Sequence, residues 1–114
     1  MNLAADAILA AWLEHFSGRP EDFDWDVGNR TKHRKHGVEP GDVEALFRRR
    51  TVFLGRVVEP MHEELRGLLL GQDATGRRLT LIFTRRGARL RPVSCRAMRR
   101  DERKVYEEAI AEED

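Results

Sequence analysis

Apolar residues recur at helical spacing over the first sixteen positions, with Leu3, Ala7, Ile8, Ala11, Trp12 and Phe16 on one stripe. The run Ser17-Gly18-Arg19-Pro20 breaks that pattern, so an amphipathic N-terminal helix is expected before it. Phe23-Asp24-Trp25-Asp26 then alternates apolar and acidic residues as a short strand does. Asp26 can cap a helix running from about Val27 to His36 and stopping at Gly37. After Val38-Glu39, Pro40 or Asp42 starts another helix, whose buried stripe is Val43, Leu46 and Phe47. The period changes over the next forty residues. Runs rich in β-branched and apolar residues span Val52 to Val58, Leu65 to Gln72, Leu79 to Thr84 and Ala88 to Cys95, separated by short turn-like segments. Short connections favour an antiparallel meander, because parallel strands need long crossovers. From Met98 to about Glu112, Val105, Tyr106, Ala109 and Ile110 mark a last helix. The expected class is α+β: N-terminal helices, a four-stranded antiparallel sheet and a C-terminal helix.

A chain of 114 residues with 40% hydrophobic content can close one core, and one globular domain is expected. No apolar run approaches the roughly 18 residues that span a bilayer, and no basic leader precedes an apolar stretch. The expectation is a cytoplasmic protein with no membrane contact. Cys95 is the only cysteine, which leaves neither an internal disulfide nor a thiolate metal cage. The net charge of +1 conceals strong segregation. Residues 1–26 carry a net −5, 27–50 a net +4, 51–70 a net −1, 71–100 a net +8 and 101–114 a net −5. Eighteen of the 21 basic residues are arginine, whose planar fork grips phosphate and stacks on bases, so the basic stretch suits a nucleic-acid backbone. A solvated charged strand face is the plainer alternative.

Phe23-Asp24-Trp25-Asp26, Asn29, Lys32, Lys35-His36-Gly37-Val38 and Val43-Glu44-Ala45-Leu46-Phe47 resemble the N-terminal signature of the BrnT family, toxins of type II toxin–antitoxin systems. Further pieces follow in the family's order: Glu64-Leu65-Arg66 before a strand reaching Gly71, the hairpin Gly76-Arg77-Arg78-Leu79, Arg91-Pro92-Val93-Ser94-Cys95-Arg96-Ala97-Met98, and Glu102-Arg103 with Tyr106-Glu107. The likeness covers about residues 23–107. Cys95 stands where the family commonly has Ala, and Glu59-Pro60-Met61-His62-Glu63 departs from its usual loop. The resemblance implies a RelE-like ribonuclease fold and a metal-independent endoribonuclease that needs no cofactor, cleaves mRNA and arrests growth. It also implies neutralisation by a cognate BrnA-type antitoxin in a hetero-oligomeric complex. On this reading residues 23–114 form the toxin domain and residues 1–22 an N-terminal helical extension. A nucleic-acid-binding or protein-interaction module that kept the fold without cleavage is the alternative.

Cutting RNA without a metal requires taking a proton from the 2′-OH, stabilising charge on the phosphorane and protonating the leaving 5′-oxygen. Arg66, Arg91 and Arg96 are candidates for the charge. Glu64, two positions before Arg66, is placed on the same strand face and is the candidate base; an ordinary surface ion pair explains the two equally well. Lys35 and His36 are catalytic candidates at a helix end, where a capping role competes. Arg77, Arg78, Ser94 and Tyr106 are candidate RNA contacts, with core packing the competing role for Tyr106. His33 and His36 share the spacing of a metal pair but lack further ligands, and no metal is expected.

Overall fold

The computed structural model describes residues 1–112, and the last two positions of the 23–114 segment lie outside the described residues. Its sheet has five strands rather than four, joined as an antiparallel meander in the order β1-β2-β3-β4-β5. The expected four are β2 (Val52–Glu59), β3 (Arg66–Gln72), β4 (Arg78–Arg86) and β5 (Arg89–Ala97). The additional strand, β1 (Asn2–Ala4), comes from residues expected to begin the first helix. Asp6 explains the difference. Its carboxylate accepts the Leu9 N–H at 2.9 Å and caps helix α1 (Ala7–His15), so the residues before the cap are extended and pair with β2. Gly55 permits that pairing: its φ is +140°, and a Cβ there would lie 2.6 Å from the Ala4 carbonyl oxygen.

The helix expected over residues 27–36 is two pieces, α2 (Val27–Arg30) and a 3₁₀ helix (Lys32–His36) that ends on left-handed Gly37. Asn29 holds the first piece. Its Oδ1 accepts the Asp26 N–H at 2.7 Å, and its Nδ2 donates to the carbonyls of Asp24 at 2.9 Å and Pro92 at 3.1 Å. The segment before α2 is thereby tied to the edge of β5, where Phe23 also bridges Leu90. The next helix, α3 (Pro40–Ala45), passes into a 3₁₀ turn at Leu46–Arg48.

The sheet buries both faces, unequally. Leu69, Leu79, Leu81, Phe83 and Cys95 face Leu9 of α1 and Val38, Val43 and Leu46 of the helical segment. Gly67 lets α1 approach, since a Cβ there would sit 2.7 Å from Phe83 Cζ and 2.9 Å from Leu9 Cδ2. Phe16, Phe23, Phe47, Trp12 and Trp25 extend this core in edge-on and stacked contacts. Leu68 and Leu70 point to the opposite face, where Tyr106 and Ile110 of helix α4 (Arg100–Ala111) cover them together with Met98. Thr80 and Arg96 lie under α4 through hydrogen bonds to Glu102, which leaves the far end of that face open. No helix among the described residues is long and apolar enough to cross a membrane.

Candidate active site

A bulge in β5 decides which arginines meet. Ile82 pairs with Ser94 and Phe83 with Pro92, so Val93 has no partner across the ladder. Strict alternation from Ser94 would send Arg91 to the helix-packed face. The extra residue instead sets Arg91 opposite Thr84, which is itself opposite Arg66 on β3. Arg66, Thr84 and Arg91 therefore form a row on the open end of the face α4 leaves uncovered. Thr84 is buried and its hydroxyl donates to the Leu65 carbonyl at 2.7 Å, pinning the start of β3.

Around this row lies a cleft of about 280 Å³ lined by Asn29, Lys32, Glu64, Arg66, Arg86 and Arg91, among others. Its charged groups alternate in sign. Glu64, in the loop before β3 rather than on the strand, bridges Arg66 Nη2 at 3.5 Å and Arg86 Nη2 at 3.2 Å. Asp24 lies 3.9 Å from Arg86 and 3.6 Å from Arg91, and Asp26 accepts from Arg91 at 2.9 Å. The hydrogen bond from Arg91, followed by that from the Asn29 backbone, holds the Asp26 carboxyl below its usual range. At the other end of the string, His62 Nε2 stands 3.5 Å from Arg66 Nη1. Lys32 lines the cleft and makes no ion pair or side-chain hydrogen bond to the described residues.

The remaining arginine candidates are engaged in holding the fold. Arg96 donates from both terminal nitrogens to Glu102, at 2.8 and 3.0 Å, and Glu102 also accepts from Thr80 Oγ1 and the Arg99 N–H. Although burial opposes ionisation, these bonds hold the Glu102 carboxyl down at about 2. Arg78 grips Glu107 at 2.6 Å, Gln72 and the Gly76 carbonyl, and lies over the Tyr106 ring. Arg77 donates to Asp73, Asp42 and the Gly37 carbonyl, tying the β3–β4 turn to α3. Tyr106 is fully buried, its hydroxyl accepting from Gln72 Nε2 and donating to the Arg50 carbonyl. Arg77 and Arg78 stand at one end of β4 and Arg86 at the other, about 27 Å apart at the rise of an extended strand.

Arg66 is different in kind. Its two contacts are both 3.5 Å, and its buried Nε has no hydrogen-bond partner; the one other such buried nitrogen among the described residues is His33 Nε2. Arg96 is fixed by short paired bonds to Glu102 and a third to the Ala97 carbonyl, whereas an arginine held only by long contacts can accept an anion. Ser94 lies two register rows from Arg66 and Arg91, on the same face, and makes no side-chain hydrogen bond to the described residues. Lys35 and His36 are exposed at the far end of the 3₁₀ helix that Lys32 begins, and neither side chain makes an ion pair or hydrogen bond to the described residues. Among the described residues, no three His, Cys, Asp or Glu side chains gather as a metal site would require.

Of the sequence candidates, the structure brings together Glu64, Arg66 and Arg91. Sequence reasoning passed over Lys32, Arg86, His62 and the acids Asp24 and Asp26. The alternation Phe23-Asp24-Trp25-Asp26 was the available signal for the acids, since both carboxylates fall on one side of an extended segment.

Cations and carboxylates alternating along a groove, on a sheet end left open to solvent, equip a protein to hold an RNA phosphate between acid and base. A family model described as the ribonuclease toxin, BrnT, of type II toxin–antitoxin system matches residues 25–102. The chain belongs to that family: it is a ribonuclease toxin of a type II toxin–antitoxin system, the partner of a cognate antitoxin. No curated protein matches the chain, and no solved structure does.

Proposed function

We propose that the chain cleaves RNA without a metal, in the cleft between β3, β4, β5 and α2, and that Arg66 is the seat of the scissile phosphate. The observation that carries this reading is the guanidinium of Arg66, loosely held and short of partners, beside Glu64. Arg66, Arg91 and the unpaired Lys32 supply positive charge to the phosphorane, and Arg86 orients Glu64 as the base that takes the 2′-OH proton. Arg77, Arg78, Arg96 and Tyr106 belong to the architecture in this reading, and Ser94 borders the groove floor. Lys35 and His36 are left to contact the RNA strand beyond the cleft. The fold is read as RelE-like and the partner as a BrnA-type antitoxin, in a hetero-oligomer that keeps the cytoplasmic toxin silent until release lets it arrest growth. Residues 1–22 are read as an extension of the toxin domain at 23–114.

The test is cleavage of a defined RNA in EDTA by the wild type, Glu64→Gln and Arg66→Ala, each checked for its unfolding midpoint. Wild-type cleavage in EDTA, lost by about 10²- to 10³-fold in well-folded Arg66→Ala, is the expected outcome. Strict dependence on a divalent ion overturns the mechanism, and RNA retained uncut by pure wild-type protein points to the binding-module alternative.

A further inference from the structure

A second depression, of about 340 Å³, adjoins the cationic cleft and shares Glu64 with it; Met61, His62, Glu63 and Leu65 of the β2–β3 loop line it, with Arg56, Val57 and Val58 of β2. The two hollows meet beside Glu64, next to Arg66. Apart from Glu64, the groups of the second hollow take no part in deprotonating the 2′-OH or in stabilising the phosphorane, and the cleft itself holds carboxylates, arginines and Lys32 but no imidazole to pass a proton near neutrality. Cleavage needs such a donor, because a 5′-alkoxide is a poor leaving group unless protonated.

We propose that His62 is the general acid of the cleavage reaction: seated across Arg66 from Glu64, it delivers a proton to the leaving 5′-oxygen. The inference rests on the proposed site at Glu64 and Arg66. Arg66 presents Nη2 to Glu64 Oε1 and Nη1 to His62 Nε2, both at 3.5 Å, so base and acid stand at opposite corners of one guanidinium. A phosphate docked on that guanidinium has one on each side, as an in-line displacement requires, and the nucleotide beyond the 5′-oxygen falls in the second hollow.

In the free protein His62 Nε2 stands opposite Arg66 Nη1. A phosphate oxygen entering there lies between the guanidinium and the imidazole, and histidine is the side chain most often used to pass a proton at such a position.

The step balances. Glu64 accepts the 2′-OH proton, the 2′-oxygen forms a bond to phosphorus, the P–O5′ bond breaks with its electron pair on O5′, and that oxygen takes the proton from His62 Nε2. The products are a 2′,3′-cyclic phosphate and a 5′-hydroxyl, with Glu64 protonated and His62 neutral; exchange with water restores both.

An RNA carrying sulfur in place of the bridging 5′-oxygen at the cut site tests this directly, since a thiolate leaves without protonation. His62→Gln and His62→Ala, at an exposed loop position, are expected to slow cleavage of ordinary RNA by roughly 10²- to 10⁴-fold and to cleave the 5′-thio substrate near the wild-type rate. Glu64→Gln is expected to be slow on both, because attack still needs a base. Equal slowing of the His62 variants on both substrates, or none on ordinary RNA while Glu64→Gln is inactive, overturns the assignment and leaves the site reading standing. Wild-type rates from both His62→Gln and Glu64→Gln remove the site itself, and the assignment with it.

Discussion

Replacing Glu102 with Gln tests whether the Arg96–Glu102 pair holds α4 on the sheet. Glu102 is buried and accepts four hydrogen bonds, two from Arg96 and one each from Thr80 Oγ1 and the Arg99 N–H, all between 2.8 and 3.0 Å. A carboxyl held at about 2, against 4.5 when free, stabilises the folded chain by about 3 kcal/mol at neutral pH. Leaving a largely covered Arg96 without its counter-charge adds in the same direction, toward the roughly 3 to 5 kcal/mol of a fully buried pair. The sign follows from the lowered folded-state value. The contribution is complete above pH 4.5, falls as the unfolded chain takes up the proton, and is lost as pH drops through 2. By pH 3 about 2 kcal/mol of it has gone. Urea unfolding of wild type and Glu102→Gln at pH 7 and pH 3 is the assay, with an expected gap of about 3 kcal/mol at pH 7 narrowing to about 1 at pH 3. A gap below about 0.5 kcal/mol at pH 7, or one that does not narrow, would refute the reasoning.

Burial, then the charges of Lys32 and His36, lower the His33 value below 6.5, so its contribution is complete above that pH and is lost as pH falls toward the folded value; His33→Gln should flatten the first acid-side decline of the unfolding midpoint, and an unchanged decline counts against it. Gly67→Ala should destabilise by roughly 1 to 3 kcal/mol in urea, because Phe83 and Leu9 already occupy the space of the new methyl; wild-type stability would show that α1 is free to move. An antitoxin that silences by occlusion should displace labelled, uncleavable RNA from the cleft, whereas unchanged RNA affinity at saturating antitoxin requires inhibition from a distance.

The strands of the meander were legible because their apolar runs are long and their turns carry Gly, Pro and Asp. β1 was not, since three residues ahead of a helix cap carry no period of their own, and only the Gly55 backbone across the sheet reveals the space made for them. The helix over residues 27–36 splits for a similarly non-local reason: Asn29 answers to the Pro92 carbonyl, 63 positions away. Composition marked residues 71–100 as a basic surface, yet Arg77, Arg78 and Arg96 are turned to internal carboxylates and Arg85 lies over Trp12 on the other side of the sheet. Counting arginines overstated the field. What placed Arg91 beside Arg66 was the one unpaired residue Val93, and a bulge is invisible to alternation by its nature.

The short strand β1 protects one edge of the sheet. β1 occupies the hydrogen-bonding edge of β2, while Phe23 and the Asn29 amide close off the edge of β5. The family match begins at Trp25, beyond β1, α1 and Phe23. A chain trimmed to the matched residues keeps Glu64, Arg66 and Arg91 but opens unpaired peptide groups along Arg56–Glu59 and strips Leu9 from the core. Such a fragment holds every residue that the family match covers and gains a template for edge-to-edge aggregation, so the part that sequence likeness recognises lacks the part that shields the sheet.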